Sequence, residues 1–160
     1  MKNSANFTIR PLTAADKPQL LEIMTAFYNS PALLHHTPRR VLSRVIDDCV
    51  GDMPFLCGYA AVDGSNTILG YTMHSVGYST EYGGICVTVE DLYVAPEHRG
   101  LGVGKALLDF ADTAHKGAVR VRLEVARDNV SAAELYSRHG YTDIEYRQMG
   151  KILGGDDIAE

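Results

Sequence analysis

The chain has 160 residues, of which 46% are hydrophobic and 22% charged, and a net charge of −5 at pH 7. This length suits one domain, residues 1–160 with a core over about 7–153, and the composition is that of an ordinary globular protein. An acidic balance without a long basic run argues against a nucleic-acid partner, and no apolar run is long enough to span a membrane or act as a secretory leader, so a cytoplasmic location is expected.

From the start of the chain, Phe7-Thr8-Ile9-Arg10 alternates as a short strand and Pro11 ends it. Thr13-Ala14-Ala15-Asp16 marks a helix start, and Leu20, Leu21, Ile23, Met24 and Phe27 give that helix an apolar side to about Asn29. Pro31 and Pro38 bracket a connection holding the adjacent pair His35-His36. A second helix carries Val41, Leu42, Val45 and Ile46 and closes at Gly51. Residues 55–62 and about 67–76 read as a hairpin around the turn Asp63-Gly64-Ser65-Asn66. A turn at Glu81-Tyr82-Gly83-Gly84 leads to a strand over 85–94. A helix over about 101–115 follows, with Val103, Leu107, Phe110 and Ala114 on one side.

Val119, Val121, Leu123 and Val125 alternate with Arg120, Arg122 and Glu124, the clearest strand period in the chain. A short helix over 129–139 stops at Gly140. Residues 141–148 read as a final strand, with a partner around 149–153, and 154–160 as a frayed tail. The order βααβββαβαβ predicts an α/β (α+β) domain with a mixed central sheet and helices on both faces.

Cys49, Cys57 and Cys86 are odd in number and lack metal-ligand spacing, so they read as buried thiols of a reducing compartment and not a disulfide frame. His35 and His36 are adjacent and cannot share one metal from a helix face, so no metal is expected.

The most informative stretch is Val94-Ala95-Pro96-Glu97-His98-Arg99-Gly100-Leu101-Gly102-Val103-Gly104-Lys105, between a strand and a helix. Alternate glycines let the backbone approach a bulky anion, and the following helix aims its free N–H groups and positive dipole end at it. A dinucleotide loop would need a glycine where Lys105 stands, and a Walker loop would need one at Arg99 and Ser or Thr at Ala106. An ordinary strand-to-helix turn is the plainer alternative.

Arg99 to Gly104 resembles the Arg/Gln-x-x-Gly-x-Gly/Ala turn of the GNAT-type N-acetyltransferases. Asn129-Val130-Ser131-Ala132-Ala133-Glu134-Leu135-Tyr136, followed by Gly140-Tyr141, resembles that superfamily's Asn-x-x-Ala-x-x-Leu/Phe-Tyr motif, about 25 residues after the glycine loop. Tyr78-Ser79-Thr80 with Glu90-Asp91-Leu92-Tyr93-Val94 resembles the diamine acetyltransferase-like branch. The resemblance runs from Phe7 to about Leu153 and implies a mainly antiparallel GNAT-like sheet, with acetyl-CoA as co-substrate.

By that resemblance, N–H groups from Gly100, Leu101, Gly102, Val103, Gly104 and Lys105 would cradle the pyrophosphate. Arg99 would hold the loop or approach a phosphate. The strand edge at Leu92, Tyr93 and Val94 would pair with the pantetheine arm, and a backbone N–H near Leu92 would polarise the thioester carbonyl. Asn129 would bond the pantetheine or cap its helix.

Two proton events are needed: the amine must lose one and the departing thiolate must gain one. Glu90 is the candidate base through water, or else only a substrate contact. By strand parity it should face with Leu92 and Val94, and Asp91 should point away unless a bulge intervenes. Tyr136 is the candidate acid, or else a packing residue. Acceptor contacts are sought among Phe27, Tyr28, His35, His36, Tyr78 and Glu81. The expected reaction is acetyl transfer to a small primary amine. A protein N-terminus or lysine as acceptor, and a non-catalytic acyl-CoA-binding module, are the alternatives. Exposed sheet edges would suit a homodimer.

Overall fold

The computed structural model describes residues 6–153, apart from 32 and 34, so the tail expected at 154–160 lies outside the described residues. One five-stranded sheet forms the centre, with strands in chain order β1 (Thr8–Pro11), β2 (Leu56–Val62), β3 (Ile68–Ser79), β4 (Gly84–Val94) and β5 (Ala118–Leu123). The first four pair antiparallel, while β5 runs parallel to β4. Parallel pairing needs a crossover, and α3 (Val103–Ala111) supplies it.

Helices α1 (Lys17–Tyr28) and α2 (Arg39–Val50) cover one face. Their apolar sides place Leu20, Met24, Phe27, Leu42 and Ile46 against Tyr71, Met73 and Tyr93 of the sheet. Strand alternation sends Ala61 and Leu69 to the opposite face, where they meet Val103 and Leu107 of α3. Helix α4 (Val130–Arg138) lies beside α3, and His139, just past its end, reaches Asp109 near the end of α3 at 3.3 Å.

Two expectations fail. The helix expected over 101–115 ends at Ala111. Its last turn tightens, with the Thr113 N–H and hydroxyl both donating to the Phe110 carbonyl, and Gly117 turns back at φ 80°. His115 is thereby released from the helix, and its ring meets buried His74. The final strand over 141–148 and its partner at 149–153 are also missing: residues 142–153 are exposed and outside any strand. A strand needs a ladder partner as well as a period. Among the described residues β5 pairs only with β4, and Ile144, Tyr146 and Met149 remain in solvent.

Candidate functional site

The β4–β5 ladder runs from Ile85↔Ala118 to Val89↔Leu123 and stops there. β4 continues to Val94, so its outer edge opens beyond Val89. The Ala95 N–H donates to the Leu69 carbonyl at 3.0 Å, which sets the phase of the β3–β4 ladder. By antiparallel alternation Tyr93 then faces β3, and Leu92 and Val94 direct their N–H and C=O groups to the open edge. The Val94 carbonyl accepts a 3.0 Å hydrogen bond from Arg99 Nε, and the guanidinium sits 5.5 Å from the Tyr93 ring centre. Arg99 therefore ties the glycine loop to β4.

A cleft of about 380 Å³ fills the opening. Glu90, Leu92, Tyr93 and Val94 form one side, Asn129 and Tyr136 the other, and Phe27 with the start of the α1–α2 connection closes one end. Two motifs far apart in the chain thus meet across one cavity. Asn129 caps α4, its Oδ1 accepting from the Ala132 N–H at 3.3 Å. Burial raises the Tyr136 pKa, which keeps the phenol protonated and able to donate.

At the back of the cleft lies a bulge. Met73 pairs with Asp91 and His74 with Val89, leaving Glu90 extra. The parity expectation for Glu90 is therefore corrected. Its carboxylate accepts the hydroxyl of Ser75, which alternates with Met73 on the α1–α2 face, so Glu90 leaves the side of Leu92 and Val94. Asp91 takes the same face, buried, where it accepts 2.9 Å hydrogen bonds from the hydroxyls of Tyr28 and Tyr71. Burial lifts the Asp91 pKa to about 6 against the lowering by both tyrosines, and the charge of Glu90 adds to the rise.

A hydrogen-bond chain supports the bulge from the other face. The Thr72 hydroxyl donates to the Asp91 carbonyl at 2.8 Å, so it accepts from His74 Nε2 at 3.0 Å. His74 Nδ1 then accepts from His115 Nε2 at 3.0 Å. Burial, with His115 beside it, holds the His74 pKa down to about 4, so the ring stays neutral.

The glycine loop turns through two left-handed residues. Gly100 and Gly102 are left-handed at φ 75° and 87°, and a Cβ on either would meet nothing within 4 Å. Gly102 precedes α3, whose first-turn N–H groups, at Val103, Gly104 and Lys105, have no partner within the helix. Leu101 packs onto the α3-side core. Lys105 pairs with Asp109 along the exposed helix.

The acceptor residues expected from sequence are scattered. Tyr28 is engaged with Asp91 and is not among the residues lining the cleft, and His35 and His36 are exposed in the α1–α2 connection. Tyr78 and Glu81 line a neighbouring groove with Ser75, Thr88, Arg120 and Arg122. Sequence reasoning missed Ser75, the Asp91–tyrosine network and the two arginines. Only the arginines left a signal, as the polar half of the β5 alternation. Cys49, Cys57 and Cys86, expected as buried thiols, are free but only partly buried. Among the described residues no group of three His, Cys, Asp or Glu side chains could hold a metal, and no helix is long and apolar enough to cross a membrane.

The acetyltransferase (GNAT) family profile matches residues 18–141. Thialysine N-epsilon-acetyltransferase from Bos taurus is 38% identical over 79 residues, covering 48% of this chain and 46% of that protein. Streptothricin acetyltransferase from Streptomyces lavendulae is 42% identical over 59 residues, covering 34% and 30%. The matched stretch thus spans less than half the length of these curated relatives. The fold is shared with a possible acetyltransferase from Clostridium difficile 630, at TM-score 0.81, 15% identity and coverage of 93% and 99%. It is also shared with an aminoglycoside N-acetyltransferase solved in complex with CoA, at TM-score 0.77, 14% identity and coverage of 96% and 99%.

Proposed function

The chain belongs to the acetyltransferase (GNAT) family, and from that membership we propose that it transfers the acetyl group of acetyl-CoA to the primary amine of a small molecule by direct attack in a ternary complex. The observation that carries this reading is the single cleft into which Glu90 and Tyr136 both open, beside the free edge of β4. A binding module would need the edge and the glycine loop but neither proton-handling group.

The donor half is built from backbone. N–H groups of Gly100 to Lys105 suit a pyrophosphate, which the left-handed glycines leave unobstructed. The Leu92 carbonyl and the Val94 N–H suit the amides of a pantetheine arm, and the Leu92 N–H suits the thioester oxygen. Asn129 reaches into the cleft from the α4 cap.

In the reaction the amine nitrogen bonds to the carbonyl carbon and the carbon–sulfur bond breaks. Glu90, held by Ser75, takes the amine's proton through water, and the Tyr136 hydroxyl gives one to the sulfur. Thialysine, streptothricin and an aminoglycoside appear in the names of related acetyltransferases, which supports a small-molecule acceptor. The three cysteines are free, which suits a cytoplasmic setting, and a homodimer would cover the outer edge of β5.

The test is thiol release from acetyl-CoA across a panel of amines, amino acids and peptides. Release with small amines is expected. Binding of CoA without release on any acceptor would favour the module, and release with peptides alone would favour a protein acceptor.

A further inference from the structure

The amide that joins Asp91 to Leu92 faces two ways. In a trans peptide the C=O and N–H point in opposite directions. Tyr93 faces β3 in the ladder, so by alternation the Asp91 carbonyl does too. The Leu92 N–H, on the same amide, then points to the open edge of β4, where Leu92 lines the cleft. Whatever holds the carbonyl therefore aims the N–H.

A side chain holds it. The Thr72 hydroxyl donates to the Asp91 carbonyl at 2.8 Å. A hydroxyl has a single proton, so at the 3.0 Å contact with His74 Nε2 it accepts. His74 Nδ1 in turn accepts from His115 Nε2 at 3.0 Å. Every proton in the chain thus points toward the amide. Burial keeps the His74 ring neutral, the state this direction requires. Tyr59 of β2 seats both imidazoles, its ring centre 5.4 Å from that of His74 and 6.3 Å from that of His115. Phe110 of α3 packs on Tyr59 at 4.7 Å.

Thr72 and His74 are both 0% exposed. A buried polar chain must satisfy every member, whereas an apolar residue of the same shape at Thr72 would need no partner. The chain has an effect that packing alone lacks. Aligned hydrogen bonds polarise one another, and a bond accepted at a carbonyl draws charge across the amide and strengthens its N–H as a donor.

We propose that Thr72, with His74 and His115 behind it, is a positioning residue for acetyl transfer: the chain aims and polarises the Asp91–Leu92 amide so that the Leu92 N–H binds the thioester carbonyl oxygen. That oxygen takes up negative charge as the amine nitrogen bonds to the carbon and gives it back as the carbon–sulfur bond breaks. This rests on the transfer reaction proposed above and adds the side chains that set its oxyanion donor.

The test uses Thr72→Val, which keeps the shape and removes the hydroxyl, and Thr72→Ser, which keeps the hydroxyl. His115→Phe, at the partly exposed outer end, interrupts the chain with Thr72 in place and carries the same comparison should Thr72→Val not fold. The first probe is the ketone analogue of acetyl-CoA with methylene in place of the thioester sulfur, which cannot transfer. The isotope-edited infrared stretch of its bound carbonyl reports hydrogen bonding at the oxygen. Wild type and Thr72→Ser should share a low frequency, Thr72→Val should lie higher, and His115→Phe should fall between. The second measurement is single-turnover transfer. Losing an oxyanion donor outright costs about 10²–10³ in rate. Here the N–H stays but loses aim and polarisation, so Thr72→Val should slow transfer about five- to fifty-fold and His115→Phe about two- to fivefold. CoA affinity should change less than about threefold, and Thr72→Ser should recover to within about threefold of wild type. A carbonyl stretch that is the same in wild type, Thr72→Val and His115→Phe overturns the proposal, as does a rate loss that Thr72→Ser shares in full. A stretch that depends on Thr72 in a protein that acetylates no amine sustains the aimed N–H and strikes down the transfer reaction. Transfer at the wild-type rate in every variant does the reverse.

Discussion

Replacing Asp91 with Asn should change how stability responds to pH. Asp91 is 4% exposed, and both tyrosine hydroxyls that reach it donate at 2.9 Å. Burial raises its pKa from 3.8 to about 6, outweighing those two hydrogen bonds, and Glu90 adds to the rise. The folded chain therefore holds this proton more tightly than the unfolded chain does. The resulting stabilisation is complete below pH about 4 and is lost as pH rises through about 6. The difference between 3.8 and about 6 corresponds to roughly 3 kcal/mol. In a chain of this size that moves Tm by about 6–12 °C. Asn does not titrate, and its amide oxygen still accepts one tyrosine hydroxyl, so any hydrogen-bond loss is a nearly constant offset. Urea unfolding of both proteins from pH 4 to 7.5 isolates the titration, because the other groups cancel in the difference. Relative to wild type, Asp91→Asn should gain about 2–2.5 kcal/mol across that range. A stability difference that stays constant with pH would show that Asp91 ionises alike in both states, and would refute the reasoning.

The remaining expectations concern the cleft. Tyr136→Phe keeps the ring, so folding and CoA affinity should persist while single-turnover acetyl transfer falls by about a hundred- to ten-thousand-fold; an unchanged rate would make Tyr136 a packing residue. Glu90→Gln should cost more at low pH, where less of the amine is neutral, and a pH–rate profile with a parallel loss throughout would point to positioning instead. Gly102→Ala places a side chain at φ 87° and should cost about 1–2 kcal/mol of stability, together with a CoA affinity loss of about tenfold or more. Gly117→Ala, at φ 80° and also with open space around it, is the control: calorimetry should show the same stability cost with no loss of CoA binding.

Much of the fold was legible because its elements announce themselves locally. The apolar spacing of Leu20, Met24 and Phe27 and the alternation through β5 each report a periodicity, and the observed elements follow within a few residues. What failed depended on partners. The alternation after Tyr141 offers a face, but among the described residues no strand pairs with it. The helix expected to reach His115 stops at Ala111, where His115 turns toward a histidine 41 positions earlier in the chain.

The same distinction divides the site. The half proposed for the donor is backbone geometry: left-handed glycines, a helix start and a strand edge that no strand pairs beyond Val89 among the described residues. These are properties of short contiguous stretches, and the motif spacing carried them. The half proposed for the acceptor is assembled from side chains that meet only after folding. Arg122 finds Thr88 across 34 positions and Tyr28 finds Asp91 across 63. The bulge at Glu90 inserts one residue into the alternation, and with it the carboxylate changes faces and joins Ser75. Parity placed Glu90 beside Leu92 and Val94. The bulge sets it instead on the face of Ser75 and Thr88. A regular strand would have kept Glu90 with Leu92 and Val94, whereas the extra residue lets it line the cleft while Ser75 holds it from the other face.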